Sequence, residues 1–230
     1  MTHKFRYLIA LAIPLVAVAL IMVIQVFFLK YGLIPDNIHK LTPVNMLTII
    51  FIQASVFIAI ALMLILKLKI HFFGLGDEIS GKDLFYGYAG LLAVNLGGSL
   101  FMTATGTQPD QFKDFDAQLL RKGIYVFMFT VAFLGPIYEE FIFRGVMLGM
   151  LAGKAASFKN NIPAVLYTSA LFMMAHFEDI RENIYIGLPL FLLGVYFSYW
   201  AIRKKGIMLT IILHMSQNFA AAMALLYATK

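Results

Sequence analysis

Residues 135–145 read Gly135-Pro136-Ile137-Tyr138-Glu139-Glu140-Phe141-Ile142-Phe143-Arg144-Gly145, inside a run that is otherwise apolar from Gly123 to Gly153. A bilayer penalises each ionisable group by a few kcal/mol even on the lenient insertion scale, so carboxylates and arginines in such a run turn toward a bundle interior and mark a site. Pro136 lacks a backbone N–H just ahead of the two glutamates, which predicts a kink where water or a substrate could enter. A packing kink of the kind common in membrane helices is an equally good reading of the same proline.

The surrounding composition supports a membrane setting. Of 230 residues, 61% are hydrophobic and 13% charged, which excludes an ordinary soluble domain. A span needs roughly 20 apolar residues to cross a core of about 30 Å, so the chain holds one domain of several helices and no separate globular unit. Twenty-two Phe and eleven Tyr suit lipid-facing and interfacial positions. The absence of Cys removes disulfides, thiolate metal sites and a cysteine nucleophile. The net charge of +6 is scattered between apolar runs and forms no basic stripe, so nucleic acid is not an expected partner.

Apolar runs fall at about 7–29, 44–66, 84–104, 123–153, 162–177, 184–202 and 207–227. They predict an all-α, polytopic helix bundle of about seven, or eight, transmembrane helices, with residues 1–120 as N-terminal spans and 121–227 as the core that carries the chemistry. The first run reads as a retained anchor rather than a cleaved signal, because ten more residues, apolar but for Gln25, follow the Ala17-Val18-Ala19 stretch. Breakers, among them Gly32, Pro35, Gly74, Gly76, Gly81, Gly106 and Pro109, mark the long loops. On alternate sides of the runs the Lys and Arg number ten and seven, with Arg144 left inside the membrane. The excess favours a cytoplasmic N-terminus and puts Lys154 and Arg203-Lys204-Lys205 on the same side.

The polar groups left inside the runs are Glu139, Glu140 and Arg144, then His176, then His214 and Asn218. Each has a bland reading. Glu140 and Arg144 are i, i+4 and can pair simply to stabilise packing. Water can satisfy a histidine at a span end, and a backbone carbonyl can satisfy an asparagine. Depth argues for more. At about 1.5 Å per residue, Glu139 lies about 22 Å from Lys154 and His176 about 21 Å from Ile162. His214 and Asn218 follow about 12 and 18 Å in from Gly206 and share a helix side.

Glu139-Glu140-x-x-x-Arg144, Phe172-x-x-x-His176 and His214-x-x-x-Asn218, in that order on successive runs, resemble the CPBP family of intramembrane proteases. That family is named for CAAX-processing and bacteriocin-processing enzymes and is also called ABI. The likeness covers roughly 123–223, and the first 120 residues contribute hydropathy alone. It implies hydrolysis of a peptide bond in a membrane-associated peptide or protein. Glu139 would be the general base and His176 would hold or activate the water. His214 and Asn218 would donate to the developing oxyanion, with Glu140, Arg144 and Phe172 in support. Glu139, His176 and His214 could also supply three ligands to Zn²⁺. No His-Glu-x-x-His occurs, and a metal-free mechanism using the same residues is favoured.

Serine proteolysis is disfavoured, since no Gly-x-Ser-x-Gly occurs. Two other classes compete with the protease. One is a bacteriocin self-immunity or regulatory scaffold that keeps the fold without needing proteolysis. The other is a proton-coupled transporter, which would show matching inverted halves that this sequence lacks. The short, cysteine-free chain suits a bacterial cell membrane, where prenylated CAAX proteins are not the expected targets.

Overall fold

The structure is a computed structural model that describes residues 3–32, 42–68, 71–106, 128–152 and 157–228. Helix is the one kind of regular secondary structure among the described residues. Two long N-terminal helices, α1 (His3–Lys30) and α2 (Pro43–Leu68), pack on each other. A non-helical strap, 71–79, leads into α3 (Gly81–Ala104). Helix α3 starts at Ser80 because Ser80 and Asp83 close a capping box: Asp83 N donates to Ser80 Oγ at 3.2 Å and Ser80 N to Asp83 Oδ2 at 2.9 Å.

Next comes α4, one continuous helix over 128–152 that changes pitch along its length, with π-helical turns at Thr130–Leu134 and Phe141–Leu148. Helix α5 (Ile162–Ala175) opens with Pro163 in its first turn and stops at His176, where a short α6 (Phe177–Glu182) begins. A 3-10 turn, Ile184–Ile186, precedes α7 (Gly187–Lys204), and α8 (Met208–Ala228) closes the described chain.

Each of the seven apolar runs is helical where its residues are described, except at Ile207 and at His176, where the 162–177 run is broken. Among the described residues, Gly81–Ala104 and Ile184–Lys204 are long and apolar enough to cross a membrane. Helix α5 has 14 residues and is only about 21 Å long, short of a full span. Lys154 and most of the 30–43 and 105–122 loops lie outside the described residues.

Helix α4 is the centre of the bundle. Ile142 to Leu151 are all buried, so this stretch is enclosed on every side, as a central helix must be. Its C-terminal half packs against α2, α5 and α7, and its N-terminal half against α8. Helices α5 and α7 run together through Gly194, where an added Cβ would lie 2.9 Å from the Ser169 Cβ.

The strap is built into this core by main-chain hydrogen bonds. Phe73 N donates to Gly145 O at 3.0 Å, and Gly145 and Gly149 leave the groove on α4 that it occupies. Farther along, Asp77 N donates to Lys204 O at 2.8 Å, while Ile207 N and Met208 N donate to Gly74 O and Leu75 O at 2.9 and 3.2 Å. The last two bonds satisfy donors at the start of α8 that no helical carbonyl could reach.

Candidate active site

The site begins with the altered pitch of α4. Gly135 N donates to Thr130 O, five residues back. In that register the next bond would run from residue 136 to Val131 O, and Pro136 has no N–H to give. Asn218 Nδ2 on α8 supplies the missing donor at 3.0 Å. Proline and asparagine thus form one unit, and the carbonyl partner foreseen for an asparagine inside a span is the one found.

Immediately after this break come the two carboxylates, in different surroundings. Glu140 is fully buried, and its Oε1 accepts from Arg144 Nη1 and from His214 Nδ1, both at 2.9 Å. Arg144, 1% exposed, also reaches Gly194 O through Nη2 at 3.4 Å. Its guanidinium lies 4.2 Å from the Phe172 ring centre and 5.4 Å from that of Phe197. The cation is therefore held by a carboxylate, a carbonyl and two aromatic faces.

Glu139 points elsewhere. Its side chain keeps 18% exposure, and its Oε2 is buried without a hydrogen-bond partner 3.8 Å from His214 Nε2. A buried carboxylate oxygen left open beside an imidazole is unusual, since such atoms are normally paired.

His214 is fixed from both sides of its ring. Nδ1 faces Glu140, Nε2 faces Glu139, and the ring stacks on Phe197 at 5.1 Å with 26° between planes. His176, at the end of α5, is fixed through Nδ1, 3.0 Å from Phe172 O. A carbonyl can only accept, so Nδ1 carries a proton, and in the neutral ring Nε2 keeps its lone pair. The Phe172 ring touches both histidines, at 4.9 Å from His176 and 6.0 Å from His214, and meets Phe143 edge-on at 5.3 Å.

Glu139, Glu140, Arg144 and His214 thus form one contact cluster, joined to His176 through Phe172. Asn218 attaches to the same helix by a main-chain carbonyl. Among the described residues no group of three His, Cys, Asp or Glu is placed to hold a metal ion. Phe197, Gly194 and Val131 O were not foreseen. A signal for Gly194 exists in Gly194-x-x-x-Ser198, a small-residue pair of the sort that brings membrane helices together.

The described residues thus form a helical bundle with a buried Glu–Arg–His cluster at a helix break. Residues 121–220 match the family model for type II CAAX prenyl endopeptidases of the Rce1-like kind, so this part of the chain is similar to that family. The membrane-embedded CAAX protease MroQ of Staphylococcus aureus (strain USA300) is 33% identical over 102 residues, 44% of this chain and 39% of that protein. An uncharacterized 24.3 kDa protein of Escherichia coli is 34% identical over 88 residues, 38% of this chain and 39% of that one. The matches therefore cover about two fifths of each relative's length. No solved structure matches significantly.

Proposed function

We propose that the protein is an intramembrane endopeptidase that cleaves a membrane-associated peptide or protein with a water activated by Glu139. The observation that carries this reading is the unequal bracing of the carboxylates: Glu140 Oε1 is held by Arg144 and His214, both at 2.9 Å, whereas Glu139 Oε2 has no hydrogen bond and stands 3.8 Å from His214 Nε2, the second oxygen of Glu140 being open as well. Glu139 takes a proton from water as the oxygen attacks the scissile carbonyl carbon, then returns it to the departing amide nitrogen. His176, with its Nε2 lone pair free, accepts the water's second hydrogen and orients it. His214, carrying a proton on each ring nitrogen so that Nδ1 holds Glu140 and Nε2 is a donor, and the second amide hydrogen of Asn218 stabilise the oxyanion. Arg144 and Glu140 hold His214 in place, and Phe172 spaces the two histidines. Exposed Ile137, Met174, Phe177 and Phe219 lie within a few residues of these groups and suit an apolar substrate.

The similarity to CAAX-processing enzymes supports the reaction class, and the substrate class proposed is a membrane peptide without a required prenyl group. Comparing membrane proteomes of cells carrying the intact protein or Glu139→Ala should reveal a protein that accumulates uncut in the variant. Identical proteomes would turn the reading toward an immunity or regulatory scaffold.

The proposed mechanism routes no step through a metal. Purified protein is expected to keep cleaving after prolonged treatment with strong chelators. Loss of activity restored by stoichiometric Zn²⁺ would overturn this.

Orientation is proposed from the Lys and Arg excess, with the Arg203-Lys204-Lys205 end in the cytoplasm. Asn160→Cys and Lys205→Cys, each the sole cysteine of its chain, should resist an impermeant thiol reagent in intact cells and react after lysis. Ready labelling of intact cells would reverse the topology.

A further inference from the structure

At the C-terminal end of α7, Tyr86, Tyr196, Tyr199, Trp200 and Arg203 line an open pocket of about 400 Å³. None of these side chains belongs to the candidate active site. Arg203 is exposed, and its Nη1 donates to Tyr199 Oη at 2.7 Å while its guanidinium lies 5.3 Å from the Trp200 ring centre. The nearby Asp83 carboxylate is taken by Lys204 at 3.1 Å, and among the described residues Arg203 has no carboxylate within ion-pair distance. Most of the guanidinium's five donors are therefore uncommitted. Trp200 is 3% exposed, and its Nε1 has no hydrogen-bond partner among the described residues.

The charge around this cup has one dominant sign. Lys82 is exposed one turn before Tyr86 on the same face of α3. Phe158, edge-on to Tyr199 at 5.5 Å, brings the exposed Lys159 beside it. The strap's Asp77 and Glu78 are exposed at the same end, so the cations are in excess without being alone. An aromatic cup by itself would suit a quaternary ammonium. Arg203 within it, with Lys82 and Lys159 near its rim, selects an anion instead.

Position decides which anion. The pocket sits at the end of Ile184–Lys204, a helix long and apolar enough to span, where Tyr and Trp belong at a membrane boundary. From Tyr196, the same face of α7 continues through Leu192 and Leu188, both more than 40% exposed. We propose that this pocket seats the phosphate headgroup of an anionic phospholipid, with its acyl chains lying along Leu192 and Leu188.

Full-length protein in mild detergent would be mixed with equal phosphatidylglycerol and phosphatidylcholine and examined by native mass spectrometry. The expected result is retention of one phosphatidylglycerol at least tenfold over phosphatidylcholine. Arg203→Ala and Tyr86→Ala should each cut that retention at least fivefold, and Lys30→Ala, an equal loss of charge on α1, should not. Melting curves run alongside should show the parent raised by phosphatidylglycerol and Arg203→Ala unmoved, with all three variants folded in its absence. Equal retention of the two lipids would overturn the proposal, as would undiminished retention by Arg203→Ala. Displacement of the lipid by millimolar inorganic phosphate would overturn it in favour of a free-phosphate site.

Discussion

Glu139→Gln is expected to lower cleavage by roughly 10²–10⁴-fold, the range that a lost general base covers, while leaving expression and melting temperature near those of the parent. The substitution keeps the shape of the side chain, and Glu139 has no ion pair with Arg144 to lose, because Arg144 Nη1 is bound by Glu140. Glu140→Gln should behave in the opposite order. It would leave the buried guanidinium without its carboxylate, at a cost of roughly 3–5 kcal/mol, and would remove the acceptor that His214 Nδ1 uses. Its melting temperature should fall by about 10 °C, with activity falling as a consequence. Arg144→Ala should fall similarly, since Glu140 would then be buried and half-paired. Activity and melting of all three variants in one detergent decide the matter. A Glu139→Gln enzyme cleaving near the parental rate, or a Glu140→Gln protein that is stable and inactive, would reverse the assignment of base and brace.

The second large effect is expected far from any charge. At Gly206 an added Cβ would lie 2.1 Å from Gly76 Cα and 2.4 Å from Leu75 C. These are main-chain atoms that cannot swing aside, and Gly76, at φ +96°, is itself in a conformation that other residues resist. Gly206→Ala must therefore push the strap off the start of α8 and disturb the bonds from Ile207 and Met208. A loss of roughly 3 kcal/mol follows from overpacking of this kind, or about 6–12 °C in melting for a chain of this size. Gly97→Ala serves as the control, because its Cβ would meet nothing within 4 Å in the middle of α3. That variant should melt at or slightly above the parent, since alanine is the better helix former. Parental melting of Gly206→Ala would mean that the strap does not bear on α8 as described.

The charged residues were the legible part of the site. A carboxylate or imidazole in an apolar run is conspicuous, and i, i+4 spacing alone paired Glu140 with Arg144. What composition could not show was the far side of each contact. The partner of Asn218 is a carbonyl, which every residue possesses, and only the five-residue register of α4 leaves Val131 without a donor. Phe197 is one of many phenylalanines until the approach of α5 and α7 at Gly194 brings its ring against His214. The same holds for the strap. Gly74 and Gly76 announced a turn, but its docking runs through main-chain hydrogen bonds and through side chains that are missing at Gly145, Gly149 and Gly206. Helices were legible from their length and hydropathy, whereas the short reach of α5 was hidden because 162–177 reads as one apolar run up to His176.

That short helix carries a consequence for hydration. A helix that stops partway through a hydrocarbon layer exposes the negative end of its dipole and its last carbonyls at a depth where lipid offers no donor. Phe172 O is taken by His176 Nδ1 and Met173 O by His176 N, so His176 itself satisfies two carbonyls of the final turn. Interrupted backbone survives at such depth only when sheltered by protein or beside a water-filled cavity. Hydrolysis consumes one water molecule for each bond cut. The truncation that sets His176 at its level therefore also favours drawing in the reagent, so lengthening α5 would be expected to dry the site as well as displace its histidine.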